Sequence, residues 1–392
     1  MKTLKRTWAD ISLDNLEYNY RSIRAHLPQG TKFLGVMKAD AYGHGAVPVS
    51  RALADLGAEY LAVSNLEEAV QIRRGEVRLP ILILGYTPAE YAANMIFLDI
   101  TQEVHSLEYA RELNEALTGT NYILNVHLKL DTGMTRIGFF AYDNERTLDE
   151  LRQVAQLPHL HIEGVFMHFC VADSRAEADV SFTKLQYKRF MDMLSAMAGV
   201  GIRPEIRHCC NSGATILYPE FALDMVRPGI ITYGNAPSDE LEGALSLRPM
   251  MSLHSMIAQV RTVPAGTDIS YGRLYRTKEE TRVAVLPIGY ADGLSRLLTG
   301  KASFYLQGKQ VPVIGRICMD MCMIDVSGVP EAKPGDVVTI FGYDDDGTLL
   351  PCERLARAQG TINYELLCQI SKRIPRICHR GAETSQILQY IV

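Results

Sequence analysis

Through roughly the first 235 residues, short apolar runs rich in Val, Ile and Leu alternate with longer stretches of helical periodicity. The runs are "KFLGVM" 32–37, "EYLAVS" 59–64, "PILILG" 80–85, "FLDIT" 97–101, "YILNVHLKL" 122–130, "IEGVFMH" 162–168, "EIRHC" 205–209 and "ALDMVR" 222–227. Each is long enough for a strand and too short for a helix that buries itself on all sides. Between them, apolar positions recur every three to four residues, as in Leu13 to Leu27, Val47 to Leu56 and Ser181 to Ala198. Eight strand–helix alternations predict a parallel (β/α)8 barrel of the TIM type.

From Met251 the pattern changes. "MIAQVRTV", "TRVAVLPIG", "SFYLQG", "VPVIGR", "MCMIDV" and "DVVTIFG" read as strands, separated by turn signals such as Pro264-Ala265-Gly266 and Pro334-Gly335-Asp336. One helix near 363–372 closes this part. The expected organisation is a barrel over 1–240 and a mostly-β domain over 241–392.

Composition narrows the function classes. Hydrophobic residues make up 47% and charged residues 22%, so a sizeable core is expected. The net charge is −5 and the cations are dispersed, which predicts neither a nucleic-acid nor a membrane surface. The first residues lack the apolar segment of a signal peptide, and no apolar run is long enough to span a bilayer. Eight cysteines without a C-x-x-C pair read as reduced thiols in a cytoplasmic protein. Cys318 and Cys322 have no second ligand pair nearby, so no metal is expected.

A barrel places its chemistry at the C-terminal ends of its strands. Lys38 ends the first strand, Lys129 and Asp131 the fifth with Arg136 just beyond, His168 the sixth, His208 the seventh and Arg227 the eighth. Any one of these alone reads as a solvated residue; their convergence on one rim does not. "NSGAT" 211–215 follows the seventh strand and "RPGI" 227–230 the eighth, where barrels often cradle a phosphate on backbone N–H groups. Ser212 adds a hydroxyl, and the alternative reading is plain turn chemistry. A lysine, a phosphate cradle and an arginine at one mouth suggest pyridoxal 5'-phosphate. Arginine only donates hydrogen bonds. Facing the pyridine nitrogen, Arg227 would keep it unprotonated, which suits removal and return of a single proton.

These residues lie in "VMKADAYGHG", "HLKLDTGMTRIGF", "NSGAT", "DMVRPGIITYG", "ISYGR", "LPIGYADG", "GRICMDM" and "TINYE". In order and spread over both parts of the chain, they resemble the bacterial alanine racemases. The resemblance implies a homodimer with shared active sites, acting on a small amino acid. It would interconvert L- and D-alanine on a pyridoxal-phosphate aldimine and supply D-alanine for peptidoglycan. Lys38 would hold the cofactor and act as one base; Tyr271, from the partner subunit, would be the other. Arg136 and Met319 would bind substrate. Tyr42, His168, Ser212, Arg227, Gly229, Ile230 and Tyr364 would bind the cofactor, and Asp320 would support the site from across the dimer. Lys129 matches a lysine that the family often carries as a carbamate; the alternative is a simple ion pair with Asp131. Likewise, the alternative for Tyr271 is a buried structural tyrosine beside Gly272.

Met167, Cys209, Cys210 and Leu294 depart from common family residues and leave pocket detail open. The runner-up reading is a serine or broad-specificity racemase, although the tyrosine in "TINYE" favours alanine. A fold-related decarboxylase lacks its signature segments here, and a non-catalytic pyridoxal-phosphate carrier would lack the β domain. The H-x-H pair His159 and His161 precedes the sixth strand, away from the active rim, which weighs against a metal-dependent hydrolase.

Overall fold

The computed structural model describes residues 6–142 and 144–391. The chain forms two compact units: one of Leu16–Ala41 with Ala46–Arg248, the other of Met1–Asn15, Tyr42–Gly45 and Pro249–Val392.

In chain order the first strands are β1 (Thr7–Ser12), β2 (Lys32–Val36), β3 (Tyr60–Val63), β4 (Ile81–Ile83), β5 (Ile100–Val104), β6 (Leu124–Asp131), β7 (Phe139–Phe140), β8 (Leu160–Phe166), β9 (Ile206–His208) and β10 (Met225–Val226). All but β1 belong to the first unit. Its parallel sheet runs β10-β2-β3-β4-β5-β6-β8-β9, with the short β7 appended to β6. The Asp224 N–H donates to the Arg207 carbonyl at 3.1 Å and the Arg227 N–H to the Cys210 carbonyl at 2.9 Å, so the ends meet and the sheet nearly closes into a barrel. Continuous burial along β3, β4 and β5 is what a parallel strand covered on both faces requires. All eight expected strands fall within three residues of their predicted positions. The fourth barrel strand begins later: Phe97 ends the helix Ala92–Phe97, and the strand runs from Ile100.

The second unit is built on an eleven-stranded sheet. It contains the antiparallel pair β1 with Met251–Met256, and the parallel pair β1 with Arg376–Arg380. Residues 6–15 therefore belong to the β unit rather than to the barrel, and the later junction falls at 248/249 rather than near 240. β1 has no sequence-local partner, which is why its register cannot be read from the chain. The helical closure near 363–372 is two short helices, Cys352–Gln359 and Asn363–Cys368. Among the described residues no helix is long and apolar enough to cross a membrane.

Candidate active site

β2 ends at Val36 and delivers Lys38 to the C-terminal rim of the barrel. The polar residues just past the lysine hold an unusual backbone. Ala39, Asp40, Ala41 and Tyr42 all have positive φ, between 52° and 56°, and make one left-handed turn. Such backbone costs about 1–2 kcal/mol per non-glycine residue and persists only where the surroundings impose it. Here Glu68 Oε1 accepts from the Ala39 N–H at 2.7 Å, the Met37 carbonyl from Ala41 at 2.8 Å, and Asp40 Oδ1 from Ala46 at 2.7 Å. Nothing in "KADAY" signals a left-handed turn, since Ala and Tyr are poor at it.

Further round the rim, β6 presents His127 and Lys129, both buried, while Asn125 near its start is exposed. Lys129 donates to its neighbour's carbonyl, Leu130, at 2.9 Å and lies 5.4 Å from the Phe166 ring. Burial first, and then the nearby Arg227 charge, lower its pKa to about 7, so the amine is largely unprotonated just above neutrality. The expected alternative of an ion pair with Asp131 does not form. Asp131 Oδ1 instead accepts the N–H groups of Gly133, Met134 and Thr135 at 2.9, 3.0 and 3.1 Å, which ties down the exposed loop that carries Arg136.

Arg227 stands one residue beyond β10 and is only 4% exposed. Its Nη2 donates to the carbonyls of Met167 (2.7 Å) and Cys209 (3.1 Å) and approaches His168 Nδ1 at 3.4 Å. Nη1 donates to His208 Nδ1 at 2.9 Å. No carboxylate pairs with it among the described residues, and its Nε makes no hydrogen bond there. Burial, then the Arg227 charge, push both His168 and His208 well below the ordinary imidazole pKa. Both rings are therefore neutral acceptors toward the guanidinium. Ser212 Oγ accepts the Gly229 N–H at 2.9 Å, stitching the loops after β9 and β10 together next to the buried Ile230. Asn211 caps the short helix Ser212–Leu217 through Ala214 N at 3.0 Å. His159 and His161 stand at the opposite end of the strands, at the start of β8, as expected.

Five expected site residues lie in the β unit. Tyr42 is buried, with its ring 5.9 Å from that of Tyr364. Burial raises its hydroxyl pKa above the ordinary value. Tyr271 is 71% exposed, which removes the buried structural reading. It sits in a tight turn between Ser270 (φ 66°) and Gly272 (φ 73°). The Ser270 hydroxyl donates to the Arg316 carbonyl at 2.7 Å, and a Cβ on Gly272 would stand 3.0 Å from the Arg316 guanidinium. Met319 is also exposed, and Asp320 accepts from Arg373 at 2.8 Å.

The alternation of Asn125, His127, Lys129 and Asp131 with Val126, Leu128 and Leu130 put His127 on the strand face of Lys129, but sequence reasoning passed over Glu163. Its only signal was a glutamate beside a glycine inside the apolar strand "IEGVF", where a bulge or a close approach is the usual reason.

Residues 11–237 match the family profile "Alanine racemase, N-terminal domain", and 250–378 match "Alanine racemase, C-terminal domain". An alanine racemase of Desulfovibrio desulfuricans is 46% identical over 370 residues, covering 94% of this chain and 97% of its own. One of Clostridium tetani is 42% identical over 392 residues, the full length of both chains. Among solved structures, the alanine racemase of Clostridium difficile 630 superposes with a TM-score of 0.93 at 40% identity and full coverage of both chains. That of Bacillus anthracis with bound L-Ala-P gives 0.93 at 34% identity, over 100% of this chain and 99% of its own. With matches across both units at this identity, the chain belongs to the alanine racemase family and is an isomerase acting on alanine.

Proposed function

We propose that this racemase works with pyridoxal 5'-phosphate held at the barrel rim, with Lys38 and Tyr271 as its two proton-transfer groups. The observation that carries the proposal is Arg227: a buried guanidinium without a carboxylate, steadied by neutral histidines and backbone carbonyls, whose Nε makes no bond to the described residues. A donor-only group held in this way suits an unprotonated pyridine nitrogen. Lys38 would hold the cofactor covalently. Ser212, Gly229 and Ile230, with Tyr42 and Tyr364, would hold its phosphate, and Arg136 and Met319 the substrate. When bound, the cofactor supplies the electron sink that acidifies the substrate Cα–H.

Racemisation removes a proton from one face of Cα and returns one to the other. A single base would have to travel around the substrate; two bases on opposite faces need not. Tyr271, exposed on a strained turn, suits a group that serves a site other than its own subunit's core. We therefore assign it to the site of the partner subunit, in an obligate homodimer. His168, kept neutral beside Arg227, would orient that tyrosine. Asp320, paired with Arg373, would support the same shared site.

Lys129 fits carbamylation, because an unprotonated amine attacks carbon dioxide and burial has lowered its pKa to about 7. The carbamate would be an anion beside Arg136. The serine or broad-specificity reading gains no support from relatives and solved structures that are all called alanine racemases. We place the enzyme in the cytoplasm, supplying D-alanine for peptidoglycan.

Deuterium exchange from solvent into each enantiomer tests the two-base assignment. Tyr271→Ala should slow exchange into L-alanine by about a hundredfold or more, the usual worth of a positioned general base, and slow exchange into D-alanine far less. Equal losses for both enantiomers would contradict it.

A further inference from the structure

A chain of hydrogen bonds crosses the barrel interior from Arg227. His208 Nε2 lies 2.8 Å from His127 Nδ1, and His127 Nε2 lies 3.1 Å from Glu163 Oε2. Glu163 Oε1 also accepts from the Tyr60 hydroxyl at 2.8 Å, and Oε2 from that of Thr101 at 3.2 Å. The two ends fix the direction of every link. Arg227 can only donate, so His208 Nδ1 accepts and its Nε2 carries the proton. His127 Nδ1 must then accept, and its Nε2–H donates to Glu163. An ionised carboxylate can only accept, and it closes the chain. Both imidazoles are fully buried, so each is confined to one neutral tautomer.

The backbone is shaped for this arrangement. β6 and β8 pair Val126 with Ile162 and then His127 with Gly164, so Glu163 is the extra residue of a β-bulge. A bulge re-aims a side chain. The glycine next in the chain makes room for the neighbouring ring: a Cβ on Gly164 would fall 2.5 Å from the His127 imidazole. Phe166 stacks on His208, with ring centroids 5.0 Å apart and planes 10° apart, and fixes its tilt.

We infer that Glu163 is a positioning residue for the racemase reaction, setting the tautomers of His127 and His208 so that His208 offers a lone pair, not an N–H, to Arg227. The inference rests on the proposed role of Arg227 toward the cofactor and extends it to the far end of the barrel. With the opposite tautomers, an N–H of His208 would face the guanidinium N–H, and Arg227 would be pushed off its position. A neutral amide at 163 can donate or accept, so it would release the lock while keeping the volume.

The test is Glu163→Gln in the holoenzyme, with histidine nitrogens followed by long-range 1H–15N NMR of 15N-histidine-labelled protein alongside steady-state kinetics. In the parent, His127 and His208 should both show protonated Nε2 and bare Nδ1. In the variant, Nδ1–H signals should appear at one or both rings. The kcat should fall about tenfold, as for weakening one hydrogen bond to a charged group, with KM within about twofold. Unchanged tautomers, or changed tautomers with unchanged kcat, would overturn the inference. Tyr60→Phe removes one bond to Glu163 without touching its charge. It should move both readouts the same way by a smaller factor, and it serves if Glu163→Gln does not fold. Arg227→Gln separates the underlying reading from this one. If that variant leaves turnover and the cofactor's visible band unchanged, the Arg227 assignment fails. If it changes them while Glu163→Gln and Tyr60→Phe do not, the inference alone fails.

Discussion

Among the described residues each unit buries one arginine, and the two are held in different ways. In the β unit Arg376, 1% exposed, donates to the carbonyls of Gly43 (2.9 Å), Ser371 (2.6 Å), Ile374 (2.5 Å) and Ile370 (2.6 Å). It gathers these backbone carbonyls, including that of Gly43 in the segment Tyr42–Gly45, and its fork is directed at holding them. In the barrel Arg227, 4% exposed, is bonded to two carbonyls and two neutral histidines. A guanidinium aimed at carbonyls organises a fold. One steadied by polarised imidazoles, with part of its fork unused by the described residues, matches the role we propose for Arg227. Burial alone does not distinguish the two; their acceptors do.

The sharpest way to break this contrast is to remove each cation in turn. Arg376→Met should cost about 4 kcal/mol of stability in denaturant titration, because several buried carbonyls lose their donor at once. Residual activity per folded molecule should stay near the parent's. Arg227→Gln should do the reverse. Turnover should fall about a hundredfold, the usual cost of one preorganised donor, with a much smaller change in unfolding midpoint. Comparable stability losses in the two variants would mean that Arg227 is structural as well.

A smaller effect concerns Lys129. Its pKa of about 7 in the folded protein lies below that of the unfolded chain, about 10.4. Between those values the unfolded state binds more protons, so stability rises with pH; below about 7 both states are charged and the slope vanishes. From pH 7 to 9 the gain should be about 2 kcal/mol in carbon-dioxide-free buffer. Bicarbonate should extend the rise below pH 7, because a carbamate nitrogen takes up no proton there while the lysine of the unfolded chain stays charged. Since the Arg227 charge is one cause of the lowered pKa, Arg227→Gln should move the slope toward higher pH. A flat profile in both buffers would contradict the reading of Lys129.

Much of the fold and of the rim was legible in the chain. The strand–helix alternation pointed to the barrel, and strand-end positions put Lys38, Lys129, His168, His208 and Arg227 on a common rim. What was not legible depended on distant pairing or on backbone geometry without a side-chain signature. β1 finds its partners more than 200 residues away, in 251–256 and 376–380. The left-handed turn after Lys38 is imposed by Glu68 and by Asp40's bond to Ala46, not by the conformational preferences of the residues in it. Glu163 read as a polar residue on a strand, because a bulge shifts the inside–outside alternation by one position and hides which face a side chain takes.

The central claim, that this alanine racemase carries its cofactor on Lys38 at the barrel rim, is tested most directly by borohydride. The purified enzyme would be reduced and digested, and each lysine-containing peptide mapped for a pyridoxyl phosphate adduct. The account predicts loss of the visible absorption band and an adduct on Lys38 alone. An adduct on another lysine, or none after incubation with pyridoxal phosphate, would contradict it.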